Sequence, residues 1–273
     1  MYMKLKDGKS KVVTLSYDDG TVGDIRLMEI MTKYGLKGTF NINSGLYLKE
    51  DATSDAFNRR LKLSEAKSLY KNSGNEVAVH AYTHPFLEKL REPEAVNEII
   101  KDKASIEENY GIIARGMAYP FGTYNQNVIG ALKNCGIAYS RTVKSTEKFD
   151  FPENWYELNP TCHHKNPKLM ELARTFVEDS RLVPAKMFYL WGHTFEFDRE
   201  NNWEIMENFA EYIGGREDIW YATNIEIYDY VKAYESLNVS VDKKIIHNPS
   251  ATDVWVTDGG ETFCVKAGTV LKR

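Results

Sequence analysis

The 273-residue sequence predicts an α/β fold of parallel strands joined by crossover helices, followed by a small C-terminal β appendage. Two observations carry the first part. Short β-branched or aromatic runs alternate with longer helical patterns over more than two hundred residues, and such alternation is how parallel strands are connected. The helical patterns also begin at capping residues or proline and stop at glycine, where real helices begin and stop. A third observation, a change of texture near Val239, marks the appendage.

Taken in order, the first strand is Val12 to Tyr17, and helix Asp24 to Tyr34 stops at Gly35. Strand Gly38 to Asn43 precedes helix Ser64 to Asn72, which starts on a good N-cap and stops before Gly74. Strand Glu76 to His80 leads to helix Pro93 to Tyr110, with proline in its first turn and Gly111 after its last. Strand Arg115 to Tyr119, helix Asn125 to Asn134 ending at Gly136, and strand Ile137 to Thr142 come next. Helix Pro167 to Asp179, strand Met187 to Trp191, helix Asn202 to Ile213, strand Ile219 to Ala222 and helix Asn224 to Tyr234 complete a domain over residues 1–238 with seven parallel strands. A barrel and an open doubly wound sheet both satisfy this pattern. Residues 239–273 read instead as short strands, Lys243 to His247, Asp253 to Thr257 and Glu261 to Lys266, separated by Asn248-Pro249 and Asp258-Gly259-Gly260 turns.

Composition excludes several classes. Lys plus Arg number 35 against 39 Asp plus Glu, a net charge of −4 that argues against a dedicated nucleic-acid binder. No run approaches the roughly 20 apolar residues of a membrane span, and the N-terminus lacks a signal-peptide pattern, so the expected location is cytoplasmic, or extracellular if the sequence is a trimmed mature form. Cys135, Cys162 and Cys264 are odd in number and widely spaced, as expected of free thiols. The loop after the first strand carries Asp18-Asp19-Gly20 rather than the glycine-rich turn of a dinucleotide site.

Reactive residue types fall at predicted C-terminal strand ends: Asp18 and Asp19, His80 with His84, Tyr119 to Gly122, Arg141, and His193. In a parallel barrel those ends share one rim. Histidines four apart on a helical turn face one way and can reach one metal. Two histidines and one carboxylate leave an open position on a zinc-like ion, the pattern of a catalytic site. The second carboxylate is then free to serve as general base, and His193 to protonate a leaving group. This equipment suits hydrolysis of an amide or ester.

Leu15-Ser16-Tyr17-Asp18-Asp19-Gly20, His80-Ala81-Tyr82-Thr83-His84, Ala118-Tyr119-Pro120-Phe121-Gly122 and Leu190-Trp191-Gly192-His193 resemble, in order, the motifs of the polysaccharide deacetylases, the NodB-homology group of carbohydrate esterase family 4. The resemblance spans about Val12 to Tyr234. It implies a distorted (β/α) barrel and divalent-metal hydrolysis of N-acetyl or O-acetyl groups on a sugar, oligosaccharide or polysaccharide. Zinc is the first expectation, with cobalt, nickel or manganese as alternatives. It further implies Asp18 as base, Asp19, His80 and His84 as metal ligands, His193 as acid, and the Phe121 backbone N–H as an oxyanion donor held by Pro120 and Gly122. It also admits an allantoinase-like hydrolase of small amides and a non-catalytic carbohydrate-binding relative.

Two departures are visible. Ala118 stands where many relatives have an arginine paired with the base, and Arg141 is a candidate to supply that guanidinium from the next strand. The acidic motif that supports the acid is not evident. Cys162-His163-His164 is a second concentration of unusual residues, with three readings: one histidine near the substrate, assistance to the acid, or a second metal with Cys162 as thiolate. Strand alternation predicts that at most one of the pair enters the site. Aromatics make up 12% of the chain, and Tyr82, Tyr119, Phe121, Trp191 and Phe195 flank the motifs as candidate faces for a sugar ring. His247 reads as structural. The sequence is silent on oligomeric state.

Overall fold

The computed structural model describes all 273 residues. The chain opens with a two-residue strand, β1 (Tyr2–Met3), and then builds the main sheet from β2 (Lys11–Asp18), β3 (Gly38–Ile42), β4 (Glu76–Val79), β5 (Gly116–Ala118), β6 (Tyr139–Arg141), β7 (Cys162–His163), β8 (Lys186–His193) and β9 (Ile219–Tyr221). The order is β6-β5-β4-β3-β2-β8-β7, with β9 pairing the start of β2, and every pairing is parallel. The helices are α1 (Asp24–Lys33), α2 (Leu63–Tyr70), α3 (Glu92–Tyr110), α4 (Gln126–Asn134), α5 (Leu169–Glu178), α6 (Phe195–Glu200), α7 (Glu204–Ile213) and α8 (Asn224–Glu235). All seven expected strands are present, and the sheet curls into a distorted barrel.

The eighth strand, β7, was not expected, because two residues carry no readable alternation. It lies on the segment that closes the ring. Leu158 bridges to Arg141 on β6, and four residues later Cys162 and His163 pair with Leu190 and Trp191 on β8.

Alternation along each strand decides what faces inward. On β2, Val13, Leu15 and Tyr17 pack under the helices, as do Phe40 and Ile42 on β3 and Phe188 and Leu190 on β8. The opposite set faces the barrel interior, which is polar. Thr14 bonds Asn224, which donates to the Tyr189 hydroxyl. Glu76 accepts from Thr39 and Tyr139, and Asn41 bonds both Ser16 and Asp18. This interior ladder rises to Asp18 at the C-terminal rim.

The appendage comprises two three-stranded antiparallel sheets, β1-β12-β13 and β10-β11-β14, from β10 (Asn238–Val239), β11 (Ile245–His247), β12 (Val254–Asp258), β13 (Glu261–Val265) and β14 (Val270–Lys272). It differs from the expected C-terminal unit in recruiting the chain's start, since Tyr2 and Met3 pair with Thr257 and Val256. Ile246, Val254, Val256 and Val265 form its small core against Ala233 of α8. No helix is long and apolar enough to cross a membrane.

Candidate active site

Five of the six histidines stand near one rim, and three of them surround the aspartate pair. Asp18 ends β2 on its inward face. Its Oδ1 accepts from Asn41 Nδ2 at 2.9 Å and its Oδ2 from Arg141, whose side chain is 0% exposed. His80 Nε2 and His193 Nε2 lie 3.8 and 3.9 Å from the same Oδ2. Burial pushes the Asp18 carboxyl up, but the charge and hydrogen bond of Arg141, with His193 nearby, outweigh it, so the group sits below its ordinary range and stays ionised.

Asp19 turns out of the strand with a φ of 84°, the first residue of the loop. Its Oδ1 lies 4.0 Å from His80 Nε2 and 3.8 Å from His84 Nε2, and the three donor atoms form a cluster able to hold a cation. The donor set fits. His80 Nδ1 donates to the Ala118 carbonyl at 2.8 Å, which fixes the tautomer and leaves Nε2 bare toward Asp19. Burial pushes the His80 imidazole down to about 4, keeping it neutral as a ligand must be. Asp19 Oδ1 is buried and makes no well-formed hydrogen bond, although an Arg60 guanidinium nitrogen lies 3.0 Å from it.

The histidines do not share a helical turn, as the spacing had suggested. Residues 81–84 form an irregular turn in which Ala81 and His84 both have positive φ, 61° and 56°. His80 and His84 still converge, with ring centroids 4.8 Å apart. Asp102 of α3 anchors the start of this turn by accepting from the backbone N–H of His80 and of Ser44.

Glu196, on the first turn of α6, is the residue that sequence reasoning missed. Its Oε2 lies 3.1 Å from both His163 Nε2 and His164 Nε2 and 3.8 Å from His193 Nδ1. Burial lowers the His193 imidazole, but Glu196, Asp18 and Asp19 outweigh it and hold it above its usual value, the direction that favours its protonated form. The available signal was the spacing of three between His193 and Glu196.

Both His163 and His164 therefore reach one carboxylate, contrary to the alternation argument, because β7 ends at His163 and the chain turns. His163 is at the rim. His164 is buried between the rings of Tyr17 and Phe197, against the Cα of Gly192. The Cys162 part of the second-metal reading does not survive, although ligand atoms of His163, His193 and Glu196 do lie close enough together to hold a cation. Cys162 faces the hydrophobic core and burial pushes its thiol up to about 12. His163 Nδ1 accepts from the Lys165 backbone N–H, so its Nε2 carries the proton. Lys165 and Arg199 already compensate the other Glu196 oxygen.

The aromatic expectations divide. Phe121 is 50% exposed at a φ of 59°, its ring stacked on Phe86 and edge-on to His84. Tyr119, by contrast, is 1% exposed and donates to the Tyr156 carbonyl, and Pro120 is buried beside it, so both form wall rather than sugar face. Trp191 is also buried, with the Arg141 guanidinium 4.4 Å over its ring.

The polysaccharide deacetylase family model matches residues 5–140, which include Asp18, Asp19, His80, His84 and the Pro120–Gly122 turn. The chain belongs to the polysaccharide deacetylase family. No curated protein sequence matches it. Among solved structures, a Mycobacterium smegmatis protein assigned as a polysaccharide deacetylase aligns over 86% of this chain and 95% of its own, with a TM-score of 0.62 and 18% identity. A family 4 carbohydrate esterase from Streptomyces lividans, in complex with acetate, aligns over 77% of this chain and 91% of its own, with a TM-score of 0.51 and 18% identity. The Streptococcus pyogenes deacetylase PplD aligns over 54% of this chain and 62% of its own, with a TM-score of 0.48 and 23% identity. For the two structures with TM-scores above 0.5, at 18% identity, the likeness is one of fold, the family's distorted barrel.

Proposed function

We propose that this polysaccharide deacetylase is a divalent-metal-dependent hydrolase of acetyl groups on a sugar, oligosaccharide or polysaccharide. The observation that carries the reading is the convergence of Asp19, His80 and His84 on one point, with Asp18 on one side and His193 near it. A divalent ion held by those three residues, zinc first among the candidates, would supply Lewis acidity toward the acetyl oxygen and acidify a water.

The chain's own residues supply the rest. Asp18, kept ionised and oriented by Asn41 and Arg141, accepts the proton of the attacking water. The backbone N–H of Phe121 faces the negative charge that develops on the acetyl oxygen. As the acetyl carbon separates from the sugar nitrogen or oxygen, His193 delivers its proton to the leaving atom, and acetate departs. Glu196 holds the imidazole and keeps it charged until then. Arg141 fulfils on β6 the role left open by Ala118, since it is the cation bonded to Asp18. Phe121 and Phe86 offer an exposed aromatic face for a neighbouring sugar ring.

An acetate-release screen over chitin, peptidoglycan, poly-N-acetylglucosamine and acetylated xylan fragments tests the reading. Release from at least one class by metal-loaded protein is expected. None from any class, with the metal bound, would leave a carbohydrate-binding relative.

A further inference from the structure

The segment between β3 and α2 returns to the rim and is stitched onto the first motif. Val22 N donates to Arg59 O, Leu61 N donates to Gly20 O, and Thr21 and Arg60 form an antiparallel bridge. This register brings the Arg60 side chain back over Asp19, where one guanidinium nitrogen donates to the Asp19 carbonyl and the other lies 3.0 Å from Asp19 Oδ1. That oxygen is the one that faces His80 and His84. Nothing in the deacetylase chemistry above uses Arg60.

We propose that Arg60 is a positioning residue that occupies the metal-facing oxygen of Asp19 and competes with the ion for it, setting how tightly and for how long the metal is held. The inference rests on the metal-site reading above. Its basis is electrostatic. The site holds two adjacent carboxylates, and each has its own guanidinium: Arg141 on Asp18 and Arg60 on Asp19. The two differ in freedom. Arg141 is sealed in the barrel, whereas the Arg60 side chain is 25% exposed and reaches the rim from a loop. A dication on Asp19 Oδ1 would meet a like charge within a few ångströms, in a place where screening is partial. Arg60 therefore swings away from Oδ1 on loading while Arg141 stays, and the repulsion that remains lowers affinity. Its bond to the Asp19 carbonyl holds the positive-φ turn in either state.

Zinc titration of the full chain, with a chelating dye as competitor, tests this on wild type, Arg60→Gln, Arg60→Lys and His84→Ala. Arg60→Gln is expected to bind zinc about tenfold tighter or more, and to release it to excess chelator correspondingly more slowly. Arg60→Lys, which keeps the charge, is expected near wild type, and His84→Ala is expected to lose binding. Equal or weaker binding by Arg60→Gln, with His84→Ala still defective, would overturn the Arg60 inference alone. Failure of wild type to bind zinc, cobalt, nickel or manganese would overturn the metal-site reading and this inference with it. Should Arg60→Gln fail to fold, Arg60→Lys binding weaker than wild type would overturn the competition, since a mobile lysine on a strained turn loses positioning but not charge.

Discussion

Arg141 and Asp18 are a buried ion pair in which each is the other's main charged partner; Asp18 otherwise meets Asn41 and the histidines, and Arg141 the Thr142 carbonyl and the Trp191 ring, so removing either leaves a poorly compensated charge inside the barrel. Arg141→Met is expected to cost on the order of 3 kcal/mol in chemical denaturation and to reduce kcat strongly while metal content is unchanged. Pairing it with Asp18→Asn is expected to recover much of the stability and none of the activity. A double variant less stable than the sum of the singles would show that the pair is not what links them. Glu196 acts on His193 through the opposite ring edge. Since the imidazole is held above its ordinary pKa partly by Glu196, Glu196→Gln should lower that pKa. The protonated acid is then lost at lower pH, and the alkaline limb of the kcat/KM profile moves toward acid. A profile that only drops in height would assign Glu196 a purely structural part.

At the scale of elements, β-strand alternation explains which residues could be read from the chain. Asp18, His80 and Arg141 end inward-facing strand registers whose outward partners are Tyr17, Val79 and Ser140, so strand assignment nearly determined their direction. Asp19, His84 and Phe121 were placed correctly at the rim, but their positive-φ turns were not legible, because none is glycine and no local pattern marks a left-handed residue. Glu196 and Arg60 were invisible for another reason. They come from segments where α6 and the loop before α2 fold back onto distant motifs, contacts that no periodicity encodes. Gly192 belongs at this scale as well. A Cβ there would lie 2.0 Å from His164 Nδ1, inside β8. Gly192→Ala is expected to displace His164 and with it Glu196, lowering both thermal stability and turnover, whereas Gly130→Ala, in α4, tests a glycine with open space around it and no positive φ.

Across the whole molecule, the barrel interior divides into a charged rim, which carries the proposed site, and a buried polar floor. Glu76 at the floor accepts bonds from Thr39, Tyr139 and the Ile225 N–H, and burial pushes its carboxyl up to about 7. The unfolded chain ionises near 4.5, so between these values the folded state binds the extra proton. The contribution is fully present below pH 4.5 and is lost as pH rises through about 7. Unfolding free energy is therefore expected to fall by up to about 3 kcal/mol over that window from this group, and Glu76→Gln should flatten the slope. An unchanged slope in that variant would place the titration elsewhere. The β appendage, into which the first strand is woven, lies off the rim and adds no residue to the site. The deacetylase account thus concentrates in one set of groups, and one measurement addresses it most directly: acetate release from an N-acetylated oligosaccharide, followed through chelation and reloading, with Asp18→Asn in parallel. Activity that disappears with chelator, returns with a divalent ion, and is absent from metal-loaded Asp18→Asn is the predicted result. Release that survives chelation, or that persists in Asp18→Asn, would contradict it.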